Sequence, residues 1–238
     1  MNSSLKNKWA LVTGASRGVG QQIAIGLAQY GVNLVLHSSN IENQKSTVNL
    51  LKKYNVNIMN VAGSLESNED ITQFVTDAEL MSGGIDILYN NAAIMTSATP
   101  LFETLQCDYE KSFQVNLFSM IKICSYFAPK MKSRGFGRII NVSSGIKDTP
   151  ILDAYSVSKA AVDKYTRDLA IELSDTGVLA NILDPGWCRT DLGGDSAFND
   201  VTSVLPGALI PAMLGNEGAE APKGLLFAAQ DYTGLKLS

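Results

Sequence analysis

Tyr155 and Lys159 stand four residues apart, just after the run Arg138 to Val142 and the pair Ser143-Ser144. On a helix this spacing puts two side chains on one face, about 6 Å apart along the axis, so a lysine ammonium can favour the ionised form of the phenol. The chemistry on offer is proton transfer by an acidified tyrosine. Tyr126/Lys130 and Tyr232/Lys236 repeat the spacing, so three of the eight tyrosines qualify and spacing alone selects none. A second group with chemical meaning opens the chain: Thr13-Gly14-Ala15-Ser16-Arg17-Gly18-Val19-Gly20. Between a strand and a helix, glycines let the backbone turn sharply and approach a pyrophosphate, and the helix start offers free N–H groups and a favourable dipole. A tight turn with no ligand has the same residues, and the glycine spacing is wider than G-x-G-x-x-G.

The end of the next apolar run, His37-Ser38-Ser39-Asn40, has no acid. A carboxylate there would bond the adenosine ribose of NAD and repel a 2′-phosphate. Hydroxyls at Ser38 and Ser39, with Arg17 reaching from the glycine turn, instead suit that phosphate, which favours NADP(H) over NAD(H). The alternative is a solvated arginine and a polar turn that caps the following helix.

These groups need elements to hold them. Trp9 to Thr13, Asn33 to His37, Asn57 to Val61, Ile85 to Asn90, Gly137 to Val142 and Val178 to Leu183 read as strands, separated by segments of helical pattern. Near-continuous apolar strands are buried on both faces, and strand-helix alternation implies parallel crossovers, hence a doubly wound α/β three-layer sandwich. Gly20 to Tyr30 carries the stripe Ile23, Leu27 and Ala28 and stops at Gly31. Glu217 to Phe227 is expected to add a helix, and Leu235 to Leu237 a short edge strand.

Length and composition bound the rest. The 238 residues suit a single domain spanning 1–238; 45% are apolar, 18% are charged, and the net charge is -4. That balance argues against a phosphate-tracking nucleic-acid partner, the only small basic cluster being Lys130, Lys132 and Arg134. Without an apolar signal core or a run of membrane-crossing length, a soluble, cytoplasmic protein is expected. Cys107, Cys124 and Cys188 lack metal-ligand or redox spacing, so no metal is expected. The one histidine, His37, lies at a strand end far from any nucleophile motif, which argues against a Ser-His or Cys-His hydrolase.

Thr13 to Gly20, Asn90-Asn91-Ala92-Ala93, Asn116 within Val115-Asn116-Leu117, Ser143-Ser144, Tyr155/Lys159, and Pro185-Gly186 followed by Thr190 occur in an order that resembles the short-chain dehydrogenase/reductase family. The resemblance covers about Lys8 to Thr190. It implies a Rossmann-like sheet of strand order 3-2-1-4-5-6-7, nicotinamide-dependent chemistry on a small carbonyl or alcohol, and a homodimer or homotetramer. By position, Tyr155 resembles the general acid/base, and Lys159 the residue that binds the nicotinamide ribose and lowers the tyrosine pKa. Ser144 resembles the anchor of the substrate oxygen, and Asn116 the holder of a water in a proton relay. The cofactor would be held by Gly14, Ser16, Arg17, Gly18, Val19 and Gly20; by Ser38, Ser39, Ser64 and Leu65; by Asn90 and Ala92; and by Tyr155, Lys159, Pro185, Gly186 and Thr190. Ser64 stands where many members have an aspartate, and Ala93 where a glycine is common.

Residues 191–216 would cover the substrate. Phe198, Val201, Val204, Leu205, Leu209, Ile210, Met213 and Leu214, with Ile94, Met95, Ile151, Leu152 and Trp187, suggest an apolar or aromatic carbonyl compound. The leading expectation is an NADP(H)-dependent carbonyl reductase or alcohol dehydrogenase. A 3-oxoacyl thioester reductase, with Lys130, Lys132 and Arg134 facing an acidic carrier protein, is the alternative within enzymes. An NADP-binding regulatory module without turnover is the alternative outside them.

Overall fold

The computed structural model describes residues 5–96, 100–145, 153–215 and 223–236. Seven strands form one parallel sheet: β1 Trp9–Val12, β2 Asn33–Ser38, β3 Ile58–Ala62, β4 Ile87–Asn90, β5 Gly137–Val142, β6 Val178–Asp184 and β7 Leu226–Ala228. Their order is β3-β2-β1-β4-β5-β6-β7. The helices are α1 Gly18–Gln29, α2 Lys45–Leu51, α3 Asn68–Ser82, α4 Gln106–Phe113, α5 Ser119–Arg134 and α6 Asp153–Glu172, with a π-type turn, Gln114–Phe118, between α4 and α5. This is the doubly wound Rossmann-like sandwich that the alternation implies.

Successive strand residues point to opposite faces, so the core divides in two. Ala10, Val12, Leu34, Leu36, Ile87, Tyr89, Ile140 and Leu183 pack with Ile23, Ala24 and Leu27 of α1. Leu11, Val35, Leu88, Ile139 and Ala180 pack on the other face with Phe74 of α3, Phe127 of α5 and Val162 of α6. Local chemistry sets the helix ends. Ser67 accepts the Asp70 N–H at 3.1 Å to start α3, and Gly83 and Gly135 end α3 and α5 in the left-handed region.

The carboxyl-terminal part differs from expectation. β7 lies at Leu226–Ala228, paired with Ile182 to Asp184, where the sequence pattern predicts the end of a helix. The edge of β6 leaves backbone groups that need a partner, and Phe227 is the buried residue that seats it. Leu235 is exposed in a turn rather than in a strand, while Leu237 and residues 216–222 lie outside the described residues.

Of the segment expected to cover the substrate, Asp191, Leu192 and Val201 line the cleft at the strand ends, while most of 201–213 packs inward. Val204, Ala208, Leu209, Ala212 and Met213 join the core on the α1 side, and the Tyr89 hydroxyl donates to the Ala208 carbonyl at 2.8 Å. Arg138, buried in β5, donates from Nε and Nη2 to the Leu214 carbonyl at 3.0 and 2.7 Å. These apolar side chains turn inward because burial against α1 removes more surface from water than a loop over a cleft could. Trp187 and Phe198 remain outside, edge to face at 5.1 Å.

Candidate active site

The glycine turn leaves β1 through Thr13. Its Oγ1 accepts the N–H groups of Asn91 and Ala92 at 2.9 and 3.1 Å, and Asn91 Nδ2 donates to the carbonyls of Thr13 (2.9 Å) and Gly14 (3.3 Å). Gly14 has φ +64°, and a Cβ there would stand 3.0 Å from Ala92 Cα. A Cβ on Gly20 would overlap the Gly14 carbonyl oxygen and stand 2.5 Å from Asn91 Nδ2. The turn therefore needs glycine at 14 for its dihedral and at 20 for space. α1 begins without a side-chain cap and without an acid in its first turn, which leaves its leading N–H groups and positive dipole end to an anion.

These residues border a cleft of about 780 Å³ at the carboxyl ends of the strands, where ligands of open α/β sheets bind. Gly14, Ser16, Arg17, Gly18, Val19, Ser38, Ser39, Ser64, Leu65, Ala92, Tyr155, Lys159, Pro185 and Thr190 all line it. Gly20 supports the turn from behind. Asn90 turns into the core, where Nδ2 donates to Asn141 Oδ1 (2.8 Å) and Cys124 Sγ (3.2 Å), so its neighbour Asn91 is the asparagine that shapes the cleft. Gly186 has φ +75° and donates its N–H to Asp184 Oδ1 at 2.9 Å.

At the β2 end of the cleft the hydroxyl of Ser38 is engaged: it donates to the Asn40 carbonyl at 2.7 Å and accepts from Gln44 Nε2 at 3.0 Å. A hydroxyl carries one proton, so Ser38 has none for a phosphate, whereas Ser39 is exposed. Arg17 is exposed and paired with Asp191 at 2.7 Å. Ser64 Oγ accepts the Glu66 N–H at 3.2 Å. His37 is buried against Phe74 with Nε2 on the Gly63 carbonyl (3.1 Å) and Nδ1 unpartnered; burial pushes its pKa down to about 4, so the ring is neutral.

The other end holds Tyr155 and Lys159. β5 delivers Val142, whose carbonyl accepts from Lys159 Nζ at 2.8 Å. Ser144 follows, bonded to the Tyr155 hydroxyl. Asn116, in the π-type turn, accepts the Ile94 N–H (2.8 Å) and donates to the Ile94 carbonyl (2.9 Å) and Ser158 Oγ (3.0 Å). Ser158 in turn donates to the Tyr155 carbonyl at 2.7 Å. Asn116 thus ties α6 to the strand-end loop, and both protons of its amide are engaged there. π-type turns within helices recur at functional sites.

The electrostatics depart from the expectation of an acidified phenol. Burial pushes Tyr155 up to about 12, helped by the Asp184 charge and opposed by the Ser144 hydrogen bond. Lys159 Nζ sits 5.7 Å from the ring centroid and is tied to Val142; burial pushes it down to about 8 against the charge of Asp163, one turn further along α6. Desolvation outweighs the ammonium because both groups are almost wholly removed from water. The other spaced pairs lie elsewhere: Lys130 rests over Tyr126 and reaches Glu79 at 3.8 Å, and Lys236 is exposed beyond the turn that holds Tyr232.

Thr13 and Asn91 stand inside motifs read from the sequence but without a role of their own there, and Ser158, Asp163 and Asp184 lie outside those motifs. For Ser158 and Asp163 a signal exists, since positions 155, 158, 159 and 163 share one helix face. Among the described residues there is no helix long and apolar enough to cross a membrane and no group of side chains suited to a metal ion.

The family model for short chain dehydrogenases matches residues 8–199. An uncharacterised oxidoreductase of Thermotoga maritima is 31% identical over 98% of this chain and 94% of its own length. A 3-oxoacyl-[acyl-carrier-protein] reductase of Aquifex aeolicus is 34% identical over 81% of this chain and 78% of its own. The crystal structure of a 3-oxoacyl (acyl-carrier-protein) reductase from Agrobacterium tumefaciens with NADP bound superposes with a TM-score of 0.87 at 25% identity, covering 94% of this chain and 93% of that one. The family match over residues 8–199, on a parallel sheet whose glycine turn borders a strand-end cleft, shows that the chain belongs to the short-chain dehydrogenase/reductase family of oxidoreductases.

Proposed function

We propose that the chain interconverts a carbonyl and a secondary alcohol of a small compound with an apolar body, using NADP(H) and Tyr155 as general acid/base. The observation that carries this reading is the Tyr155 hydroxyl, bonded to Ser144 and backed by Lys159, lining the same cleft as the glycine turn.

The cleft suits a nicotinamide dinucleotide: α1 begins uncapped, the turn leaves no room for side chains at 14 and 20, and no acid stands at the end of β2. Backbone at Gly14, Ser16, Gly18 and Val19 would hold the diphosphate, Arg17 and Ser39 the 2′-phosphate, and Ser64, Leu65 and Ala92 the adenosine. Lys159 would hold the nicotinamide ribose, and Pro185, Gly186 and Thr190 the carboxamide end. Such a cofactor, when bound, exchanges hydride with the carbonyl carbon.

A phenol with a pKa of about 12 keeps its proton at neutral pH, so Tyr155 can donate it to a developing alkoxide in the reductive direction and takes it back in the oxidative one. Ser144 anchors the same oxygen and adds a hydrogen bond that strengthens as charge develops there. Lys159, at about 8, is mostly protonated at pH 7 and places its charge behind the phenol. A 3-oxoacyl thioester substrate is the second reading, in which Glu79, 3.8 Å from both Lys130 and Arg134, offsets part of the positive charge that an acidic carrier would meet.

Tyr155→Phe tests the assignment. Carbonyl reduction should fall by about 10³-fold, the middle of the range that positioned acids contribute, while NADPH affinity measured by fluorescence stays within a few-fold of the parent. Turnover near the parent rate in that variant refutes the role.

A further inference from the structure

Thr47, in α2, is wholly buried and stands apart from the described residues that border the cleft. Its hydroxyl nevertheless ends on the glycine turn: Oγ1 donates to the Ala15 carbonyl at 2.8 Å and shares the same proton with the Ser16 carbonyl at 3.1 Å. Gln21 of α1 closes the group, its Nε2 donating to Thr47 Oγ1 at 2.9 Å and to the Ser16 carbonyl at 3.3 Å. The Ala15 N–H in turn donates to the His37 carbonyl of β2 at 2.9 Å. Three elements, α1, α2 and β2, thus hold three consecutive peptides of the turn.

A trans peptide is planar, with its C=O and N–H on opposite sides. Turning the Ala15 and Ser16 carbonyls toward Thr47 therefore turns the N–H groups of Ser16 and Arg17 the other way, and both of those residues border the cleft. Without the brace either peptide can flip and take its N–H out of an anion site. α2 suits the task because it is pinned at both ends. Seven residues do not hold a helix in place on their own. Gln44, just before α2, is wholly buried and donates to Ser38 Oγ at 3.0 Å and to the Val61 carbonyl at 2.7 Å, while Leu51 at the far end joins the core.

We propose that Thr47 is a positioning residue for the nicotinamide dinucleotide, its hydroxyl holding the Ser16 and Arg17 N–H groups aimed at the diphosphate through the Ala15 and Ser16 carbonyls. This rests on the cofactor reading above and adds to it a residue that touches no ligand.

The test uses the full chain and NADPH. Thr47→Val removes the hydroxyl and keeps the shape, and it should raise both the Kd and the KM for NADPH by about tenfold, from one lost hydrogen bond and the flipped conformers it held back. At saturating NADPH its kcat should stay within about twofold of the parent, because the reacting groups are untouched. Thr47→Ser keeps the donor and should bring NADPH affinity back to within about threefold. Gln21→Met removes the second donor and should weaken NADPH by about threefold, which reads the same brace if the valine variant does not fold. Inhibition against NADPH separates the brace from general loosening. Pyrophosphate, held by the turn alone, should lose potency with Thr47→Val in step with NADPH, whereas 2′-AMP, which has the 2′-phosphate and no diphosphate, should inhibit both proteins alike. Parent-like NADPH affinity in Thr47→Val or in Gln21→Met, a serine variant as weak as the valine one, or an equal loss for 2′-AMP overturns the proposal and leaves the cofactor reading standing. A parent that binds no NADPH overturns both.

Discussion

Replacing Lys159 by methionine should make the protein more stable at neutral pH while removing its activity. The ammonium is 3% exposed and its pKa falls from 10.5 to about 8 on folding, a difference that corresponds to about 3 kcal/mol. Against this, the Val142 carbonyl loses its donor, a cost of about 1–2 kcal/mol. Methionine keeps most of the apolar stem, so a net gain of about 1–2 kcal/mol is expected at pH 7. The sign has a pH signature. Between pH 8 and 10.5 the unfolded chain holds the lysine proton and the folded chain does not, so this group makes the parent more stable as pH rises through that window. The variant lacks that slope, and its advantage should vanish and then reverse by pH 10.5. Tyr155, raised from 10.0 to about 12, contributes stability that is lost above pH 10, but it is present in both proteins. Urea denaturation of both from pH 7 to 10.5, beside an NADPH turnover assay, reads the effect. A variant weaker than the parent at pH 7, or a difference that stays flat with pH, refutes the claim that burial of Lys159 opposes folding.

Gly20→Ala should destabilise by about 1–3 kcal/mol, because its Cβ has no space beside Gly14 and Asn91. Gly83→Ala, with open space around it and φ +72°, should lose only about 1–2 kcal/mol from left-handed strain. The discriminating measurement is NADPH affinity, which should fall for Gly20→Ala alone; equal affinities in the two variants would count against the cradle. Asp191→Ala should release Arg17 and tighten NADP(H) by up to about fivefold, the worth of an exposed ion pair, with NAD(H) unchanged. An equal effect on both cofactors would show that Arg17 does not read the 2′-phosphate.

Strand positions are readable in the chain because the central strands, buried on both faces, demand near-continuous apolar runs, and six of the strands, the half-buried edge strand β3 included, lie within a residue or two of the expected spans. The seventh escapes because Leu226–Ala228 is only three residues long and owes its state to the open edge of β6, a partner more than forty residues away. The site divides the same way. Tyr155, Lys159, Ser144 and the glycine turn are readable as motifs, whereas which of Asn90 and Asn91 faces the cleft depends on strand phase, and β4, buried throughout, shows no alternation from which to read it. The direction of the Tyr155 perturbation was also hidden. Four-residue spacing reports proximity to an ammonium, but it carries no information about the depth of burial that decides the sign.

The packing of residues 201–213 against α1 bears on how this enzyme can diversify. Gly26 in α1 is close-packed beneath Leu205 and Leu209, and Tyr89 and Arg138 reach from mid-sheet to the carbonyls of Ala208 and Leu214. A chimaera that imports this stretch from a relative must also import its matching face of α1, or it will carry a cavity or an overlap into the sheet. Laboratory evolution of substrate choice should therefore begin at Trp187 to Asp200, where exposed Trp187 and Phe198 can change without touching the core.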